Sequence, residues 1–232
     1  MHVTAIVPAA GGGTRLAAPH PKQYLPLLGI PMLTRTLQAL RLSRRVDCLI
    51  LVVPPGQETR CRREILQPFG LDIEPVVPGG ADRQASVYAG LLQAPTATDL
   101  ILVHDGARPL ITTALIQAAV AAAAEIGAAV VAVPVSDTIK MVGPDGRVLE
   151  TPPRGRLWAA QTPQVFRASL LREAHEAALR DGFRGTDDSA LVERLGHPVH
   201  IVPGSPENLK ITTTADLVLA DQILRTREAQ AG

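Results

Sequence analysis

Three consecutive glycines, Gly11, Gly12 and Gly13, follow an apolar run at residues 3–8, with Arg15 close behind them and Lys22 further on in Pro21-Lys22-Gln23-Tyr24. Glycine lacks the Cβ that would hold a phosphate away from backbone N–H groups, and it permits positive φ. A forked guanidinium and a compact ammonium beside such a turn suit a polyphosphate better than a neutral ligand. Two familiar glycine patterns fail here. A dinucleotide fingerprint needs a third glycine where this chain has Leu16, and a Walker loop needs Gly-Lys-Ser/Thr, which is absent. The competing reading is a tight turn with two solvated cations. Its position directly after the first strand favours phosphate binding, because ligands of open α/β sheets lie beyond the carboxyl ends of the strands.

Other predicted strand ends carry polar groups as well. In His104-Asp105-Gly106-Ala107-Arg108-Pro109, Asp105 can hold Mg²⁺ directly or through water, hydrogen-bond a substrate hydroxyl, or simply cap the loop. Lys210, in Asn208-Leu209-Lys210, adds a third cation. Whether Arg15, Lys22 and Lys210 meet depends on the topology of the sheet. His197 and His200 lack cysteine or acidic partners at site spacing and read as structural. There is no Gly-x-Ser-x-Gly elbow, and His104 reads as a strand-end residue rather than a base.

The elements that must position these groups are short, β-branched apolar runs at 3–8, 48–53, 73–77, 100–104, 128–133 and 199–202. Most are too uniformly apolar to have one wet face, which is how parallel strands covered on both sides read. Helical patterns lie between them. Pro31 suits a first helical position ahead of Met32, Leu33, Thr36, Leu37 and Leu40, and Asp82 can cap a helix bearing Val87, Tyr88, Leu91 and Leu92. Thr112 or Thr113 can cap an Ala-rich helix, and Thr213 or Thr214 a last one with Leu217, Leu219, Ile223 and Leu224. The alternation predicts an α/β fold with a mostly parallel, Rossmann-like sheet and helices on both faces. Without a repeat or a break in composition, residues 1–232 read as a single domain.

One segment interrupts the alternation. Strand candidates at 138–142 and 147–151 flank Gly143-Pro144-Asp145-Gly146, so a β-hairpin is predicted within an arm of about residues 136–158. It is either a surface ornament or a ribbon stabilised by docking on a second subunit, since an isolated two-stranded ribbon is only marginally stable in water.

Composition narrows the function classes. A net charge of +1 gives no basic field for nucleic acid, so phosphate binding should be local. With 3% aromatic residues the core must be built from Ala, Val, Leu and Ile. Cys48 and Cys61 form no metal or disulfide spacing, and the N-terminus lacks the layout of a signal peptide; both fit the cytoplasm. The Ala-rich stretch at 114–135 contains Glu125 and Gly127 and reads as a helix followed by a strand, so no membrane span is expected.

Pro8-Ala9-Ala10-Gly11-Gly12-Gly13-Thr14-Arg15 and Pro21-Lys22-Gln23-Tyr24 together resemble the start of the 2-C-methyl-D-erythritol 4-phosphate cytidylyltransferases. The similarity runs on through Gly79-Gly80-Ala81-Asp82-Arg83-Gln84-Ala85-Ser86-Val87, the Asp105 motif, Asp137-Thr138-Ile139-Lys140 and Leu157-Trp158-Ala159-Ala160-Gln161-Thr162-Pro163-Gln164. It ends with Thr186-Asp187-Asp188 and Asn208-Leu209-Lys210-Ile211-Thr212.

The resemblance implies a nucleotidyltransferase that converts CTP and methylerythritol phosphate to the CDP-alcohol and pyrophosphate, with Mg²⁺ required, in non-mevalonate isoprenoid synthesis. It implies that Arg15 and Lys22 stabilise the transition state and that Lys210 orients the attacking phosphate. Ala9, Ala10 and Gly11, with Gly12 and Gly13, Gly80, Ser86 and Asp105, would bind the nucleotide. Asp105 and Arg108 would contact substrate hydroxyls or the metal. The hairpin would embrace a second subunit in a homodimer, with Thr138 and Arg154 serving the neighbour's site, Arg154 on the substrate phosphate, and Thr186 lining the same pocket. Two rivals remain at this stage. One is a cytidylyltransferase for another polyol phosphate, such as ribitol 5-phosphate; the other is a non-catalytic nucleotide-binding protein.

Overall fold

The computed structural model describes residues 1–11 and 22–231. The expectations for Gly12, Gly13 and Arg15 lie outside those residues.

The strands in chain order are β1 (Val3–Pro8), β2 (Pro26–Leu27), β3 (Ile30–Pro31), β4 (Cys48–Val53), β5 (Val76–Pro78) and β6 (Leu100–Val103). They continue with β7 (Ala128–Pro134), β8 (Met141–Val142), β9 (Val148–Glu150), β10 (Trp158–Arg167) and β11 (His200–Pro203). Among the described residues one seven-stranded sheet has the order β11-β7-β10-β6-β1-β4-β5. Every neighbour pair in it is parallel except those of β10, which runs antiparallel to both β6 and β7.

Uniform apolarity follows from cover on both faces. Val3, Ala5 and Val7 of β1 face one core, shared with helix α1 (Met32–Leu42) and Ile116, Ala119, Val120 and Ala123 of a later helix; Ile6 faces the other. Helix α2 (Glu58–Cys61) adds Cys61 to the first core, and α3 (Arg83–Leu91) adds Val87 and Leu91 to the second. The helix carrying Ile116 is α4 (Thr113–Ile126), followed by α5 (Ala168–Arg180), α6 (Asp188–Arg194) and α7 (Thr214–Ala231). The expected caps form. Asp82 accepts from Ala85 N–H at 2.8 Å, Thr112 from Leu115 N–H, and Thr213 from Asp216 N–H. α4 stops at Gly127, whose φ of 105° is open to glycine and strained for other residues. No helix among the described residues is long and apolar enough to cross a membrane.

Three expectations shift. The strand expected at 73–77 starts at Val76: Pro75 has no N–H to give the ladder, and Ile73 is buried without strand pairing. The hairpin forms, but only Met141–Val142 pairs with Val148–Glu150, with a register shift between Met141 and Val142. Its turn closes through Gly146 N–H to the Gly143 carbonyl at 3.0 Å, with Gly146 at φ 78° supplying the left-handed residue such hairpins need. Lastly, β10, α5 and α6 have no counterpart among the strands and helices read from the sequence. β10 has the sequence WAAQTPQVFR, whose proline and glutamines argue against a central strand. A break in register between Ala160 and Gln164 accommodates Pro163, and the polar residues there belong to the site.

Candidate active site

The carboxyl ends of β1, β5 and β6 open onto a cavity of roughly 350 Å³. Ala9, Ala10 and Gly11 continue β1 into its wall, and Ala9 N–H bonds to the Val52 carbonyl at 2.7 Å, so the strand end is tied to β4. Gly80 and Ser86 form the opposite side. Ser86 Oγ accepts from Gly80 N–H at 3.2 Å and donates to the Asp82 carbonyl, clamping the loop onto α3. A Cβ on Gly79 would lie 2.8 Å from Ser86 Oγ and collide with Ala10, so this approach of two loops requires glycine.

Lys22 and Lys210 both line the cavity although 188 positions separate them, so the sheet does bring these two cations together. Lys22 Nζ donates to the Ile211 carbonyl at 3.3 Å, next to Lys210. The neighbouring Gln23 is buried and donates from Nε2 to the Ala9 carbonyl at 3.0 Å, fixing the turn that carries Lys22 against the β1 loop. The 208–212 segment is held from below. Asn208 Nδ2 donates to the Thr162 carbonyl and to Gln161 Oε1, Arg108 Nη1 donates to the Asn208 carbonyl at 2.6 Å, and Ile211 N–H bonds to the Ala107 carbonyl. α7 caps this segment with a small apolar cluster of Leu27, Met32, Leu110, Ile211 and Ala220.

Asp105 is the electrostatic centre. Lys210 Nζ sits 2.8 Å from its Oδ2, Arg83 Nε donates to its Oδ1 at 3.0 Å, and Arg108 Nε is 3.9 Å from Oδ2. Burial by itself would raise the carboxyl pKa, but Arg83, Lys210 and Arg108 outweigh it and hold the group well below the usual carboxylate range. Asp105 is therefore an anion at neutral pH. Its backbone is fixed as well: Asp105 N–H donates to Thr162 Oγ1 at 3.0 Å, which leaves the Thr162 hydroxyl proton for His104 Nδ1, also at 3.0 Å. His104 Nε2–H then donates to the Arg108 carbonyl. Burial pushes the His104 pKa down to about 4, so the imidazole is neutral and spans the loop as a strut.

A second cavity of roughly 230 Å³ shares Arg83, Asp105 and Lys210 with the first and adds Arg108, Gln161, Thr162, Gln164, Thr186 and Asp187. Asp105, Arg83 and Lys210 are thus a common wall. Gln164 shapes the far side, donating from Nε2 to Asp187 Oδ2 at 2.7 Å and accepting from Ser189 N–H, which anchors the loop bearing Thr186.

Of the site residues expected from sequence, Ala9, Ala10, Gly11, Lys22, Gly80, Ser86, Asp105, Arg108, Thr186 and Lys210 line these two cavities. Thr138 and Arg154 line neither; both are exposed on the arm, and Arg154 Nη1 donates to the Ser136 carbonyl at 2.7 Å. Sequence reasoning gave no role to Arg83, Gln161, Thr162, Gln164 or Asn208. A threonine and two glutamines inside an otherwise apolar strand were the available signal for three of them.

Such a cleft, glycine-walled at the end of the first parallel strand and cationic where two distant segments meet, defines an α/β nucleotidyltransferase. A family model described as IspD: 2-C-methyl-D-erythritol 4-phosphate cytidylyltransferase matches residues 3–226. The chain belongs to that family. A protein of that name from Pelotomaculum thermopropionicum is 47% identical over 234 residues, covering 99% of this chain and 98% of its own length. Another, from Desulforamulus reducens, is 48% identical over 227 residues, with 97% of each chain covered. Among solved structures, the 2-C-methyl-D-erythritol 4-phosphate cytidylyltransferase of Thermus thermophilus superposes with a TM-score of 0.80 at 39% identity, covering 97% of this chain and 100% of that one.

Proposed function

We propose that this chain transfers CMP from CTP to 2-C-methyl-D-erythritol 4-phosphate, releasing pyrophosphate. The observation that carries the reading is the meeting of Lys22 and Lys210 on one cavity, with Lys210 and Asp105 in the wall shared with a second. Two adjoining cavities divided by a lysine suit a reaction in which the phosphates of two substrates must approach. An oxygen of the sugar-alcohol phosphate forms the new bond to the α-phosphorus of CTP as the bond to pyrophosphate breaks. That nucleophile is already anionic near neutral pH, so no general base is needed. The neutral His104, committed at both nitrogens, is not placed to supply one. Rate enhancement comes from positioning and charge neutralisation.

In this reading Lys22 and Arg15 neutralise the transferring phosphoryl group and the leaving pyrophosphate, and Lys210 guides the attacking phosphate. The backbone of residues 9–11 and Gly80, brought close by the glycine contacts, reads the cytosine edge, while Ser86 holds that loop shut. Arg108 and Thr186 serve the second substrate. Mg²⁺ fits as an ion carried by the triphosphate. Among the described residues no three potential ligand side chains cluster, and Asp105 already has a cation on each oxygen, so it would meet the ion through water. The ion would supply further charge neutralisation on the phosphates.

The reading also includes a homodimer and a cytoplasmic enzyme. On the arm Met141, Val142, Val148 and Leu149 are exposed, the last at 70%, and a two-stranded ribbon with that surface gains stability by packing on another subunit. Arg154 and Thr138 would reach the neighbour's second cavity.

Nucleotide choice tests the reading. With methylerythritol phosphate as acceptor and the four nucleoside triphosphates supplied in turn, pyrophosphate release should be fastest with CTP by at least about two orders of magnitude, since a hydrogen-bonded site can discriminate by up to roughly 10⁴–10⁵ where an apolar pocket reaches only about 10². Equal rates with ATP or GTP would remove the cytosine pocket from the account.

A further inference from the structure

Arg83 lies in the wall common to both cavities, and nothing in the reaction as described above uses it. Its side chain is 27% exposed and bridges two carboxylates: Nε donates to Asp105 Oδ1 at 3.0 Å and Nη1 to Asp188 Oδ2 at 2.7 Å. Asp188 opens α6 and is buried at 1% exposure. Its other oxygen, Oδ1, contacts His175 Nε2 of α5 at 3.2 Å. The His175 ring in turn stacks on Tyr88, with centroids 5.8 Å apart and planes 16° from parallel. Tyr88 belongs to α3, the helix that Arg83 begins.

The contacts therefore close a ring, from Arg83 through Asp188, His175 and Tyr88 back to the helix of Arg83. Three helices fix the guanidinium on one side and leave Nε aimed at Asp105. Burying a carboxylate is costly, and an ion pair of this kind is weak evidence for stability. Its geometric consequence is definite: the Asp105 oxygen nearest Arg83 is pinned, which presents the other oxygen to Lys210 Nζ.

We propose that Arg83 is a positioning residue, held by the buried Asp188–His175 pair, that sets the place of Lys210 by fixing the Asp105 carboxylate. The inference rests on the cytidylyl transfer proposed above. It separates the groups that touch phosphate from those that aim them, and it makes α5 and α6, on the far side of the second cavity, part of the catalytic support.

A double-mutant cycle tests it. Arg83→Met, Asp105→Asn and their combination would be assayed for kcat and KM with CTP and methylerythritol phosphate, alongside thermal melting. Arg83→Met is expected to lower kcat/KM by roughly 10- to 100-fold, the scale set by a misplacement of about 1 Å. If Arg83 acts through Asp105, the double variant falls within about threefold of Asp105→Asn alone. Asp188→Asn should lower kcat/KM in the wild-type background and add nothing once Arg83 is methionine. Multiplying losses in either cycle would overturn the inference, since a merely structural residue or one touching substrate itself predicts additivity. Should Arg83→Met fail to fold, the cycle of Asp188→Asn with Asp105→Asn decides by the same criterion. An active wild type with additive losses refutes only this inference, whereas a wild type without the transfer activity refutes both.

Discussion

Lys22→Ala should lower kcat at least 100-fold while the protein remains folded. The magnitude follows from the removal of a single charge-stabilising donor, about 2.7–4 kcal/mol of transition-state stabilisation. The structure gives reason to expect the loss in turnover rather than in folding. The turn bearing Lys22 is anchored by its neighbour, since Gln23 Nε2 bonds to the Ala9 carbonyl and Leu25 N–H closes back on the Lys22 carbonyl at 3.1 Å. Neither bond uses the Lys22 side chain. One bond that is lost, from Nζ to the Ile211 carbonyl, is long at 3.3 Å, and Ile211 keeps its own tie to the Ala107 carbonyl. The KM for CTP should change less than kcat, because negative charge grows on the leaving pyrophosphate only as the bond breaks. Single-turnover kinetics with a melting curve check this. Near-normal turnover would remove Lys22 from the chemistry.

The second large effect concerns the arm. Arg154→Ala and Lys22→Ala homodimers should each be nearly inactive, yet mixing them under conditions that exchange subunits should restore about a quarter of wild-type activity, given two-fold symmetry and random pairing. Half of the dimers would then be mixed, and each would hold one complete site, made from the cleft of one subunit and the arm of the other. The expectation comes from the place of Arg154, which is exposed beside the ribbon and lines neither cavity of its own chain. It comes too from the apolar side chains Met141, Val148 and Leu149, which the ribbon leaves uncovered. Activity in the mixture no higher than in the parents would mean that sites are not shared between subunits.

The readable parts of this fold were those in which local pattern and tertiary environment agree. β1, β4, β6 and β7 are apolar on both faces because helices cover both faces, so their runs are continuous and unmistakable. Asp82 as a cap and Gly143-Pro144-Asp145-Gly146 as a turn were legible because each acts locally, on backbone only three positions away. β10 was not legible, and the reason is functional. Thr162 supports the Asp105 backbone, Gln161 holds Asn208, and Gln164 anchors the Thr186 loop, so a strand that must serve the site cannot carry a strand's usual composition. Arg83 was passed over for a related reason. Beside its capping Asp82 it reads as an ordinary first-turn cation, and only the sheet brings Asp105 and Asp188, 22 and 105 positions away, to its two ends. The meeting of Lys22 with Lys210 was foreseeable only as a conditional; the 208–212 segment lies beside Lys22 because α7 and Asn208 press it there.

The acceptor is what the glycine segment after β1 alone cannot name, and in the proposed reading it depends on the second cavity. The most direct measurement is a competition: CTP with equal concentrations of 2-C-methyl-D-erythritol 4-phosphate and ribitol 5-phosphate, with the two CDP-alcohols resolved by mass at early times. The account predicts that the methylerythritol product dominates, with pyrophosphate formed in equal amount. Faster formation of CDP-ribitol, or CTP binding without pyrophosphate release, would contradict it.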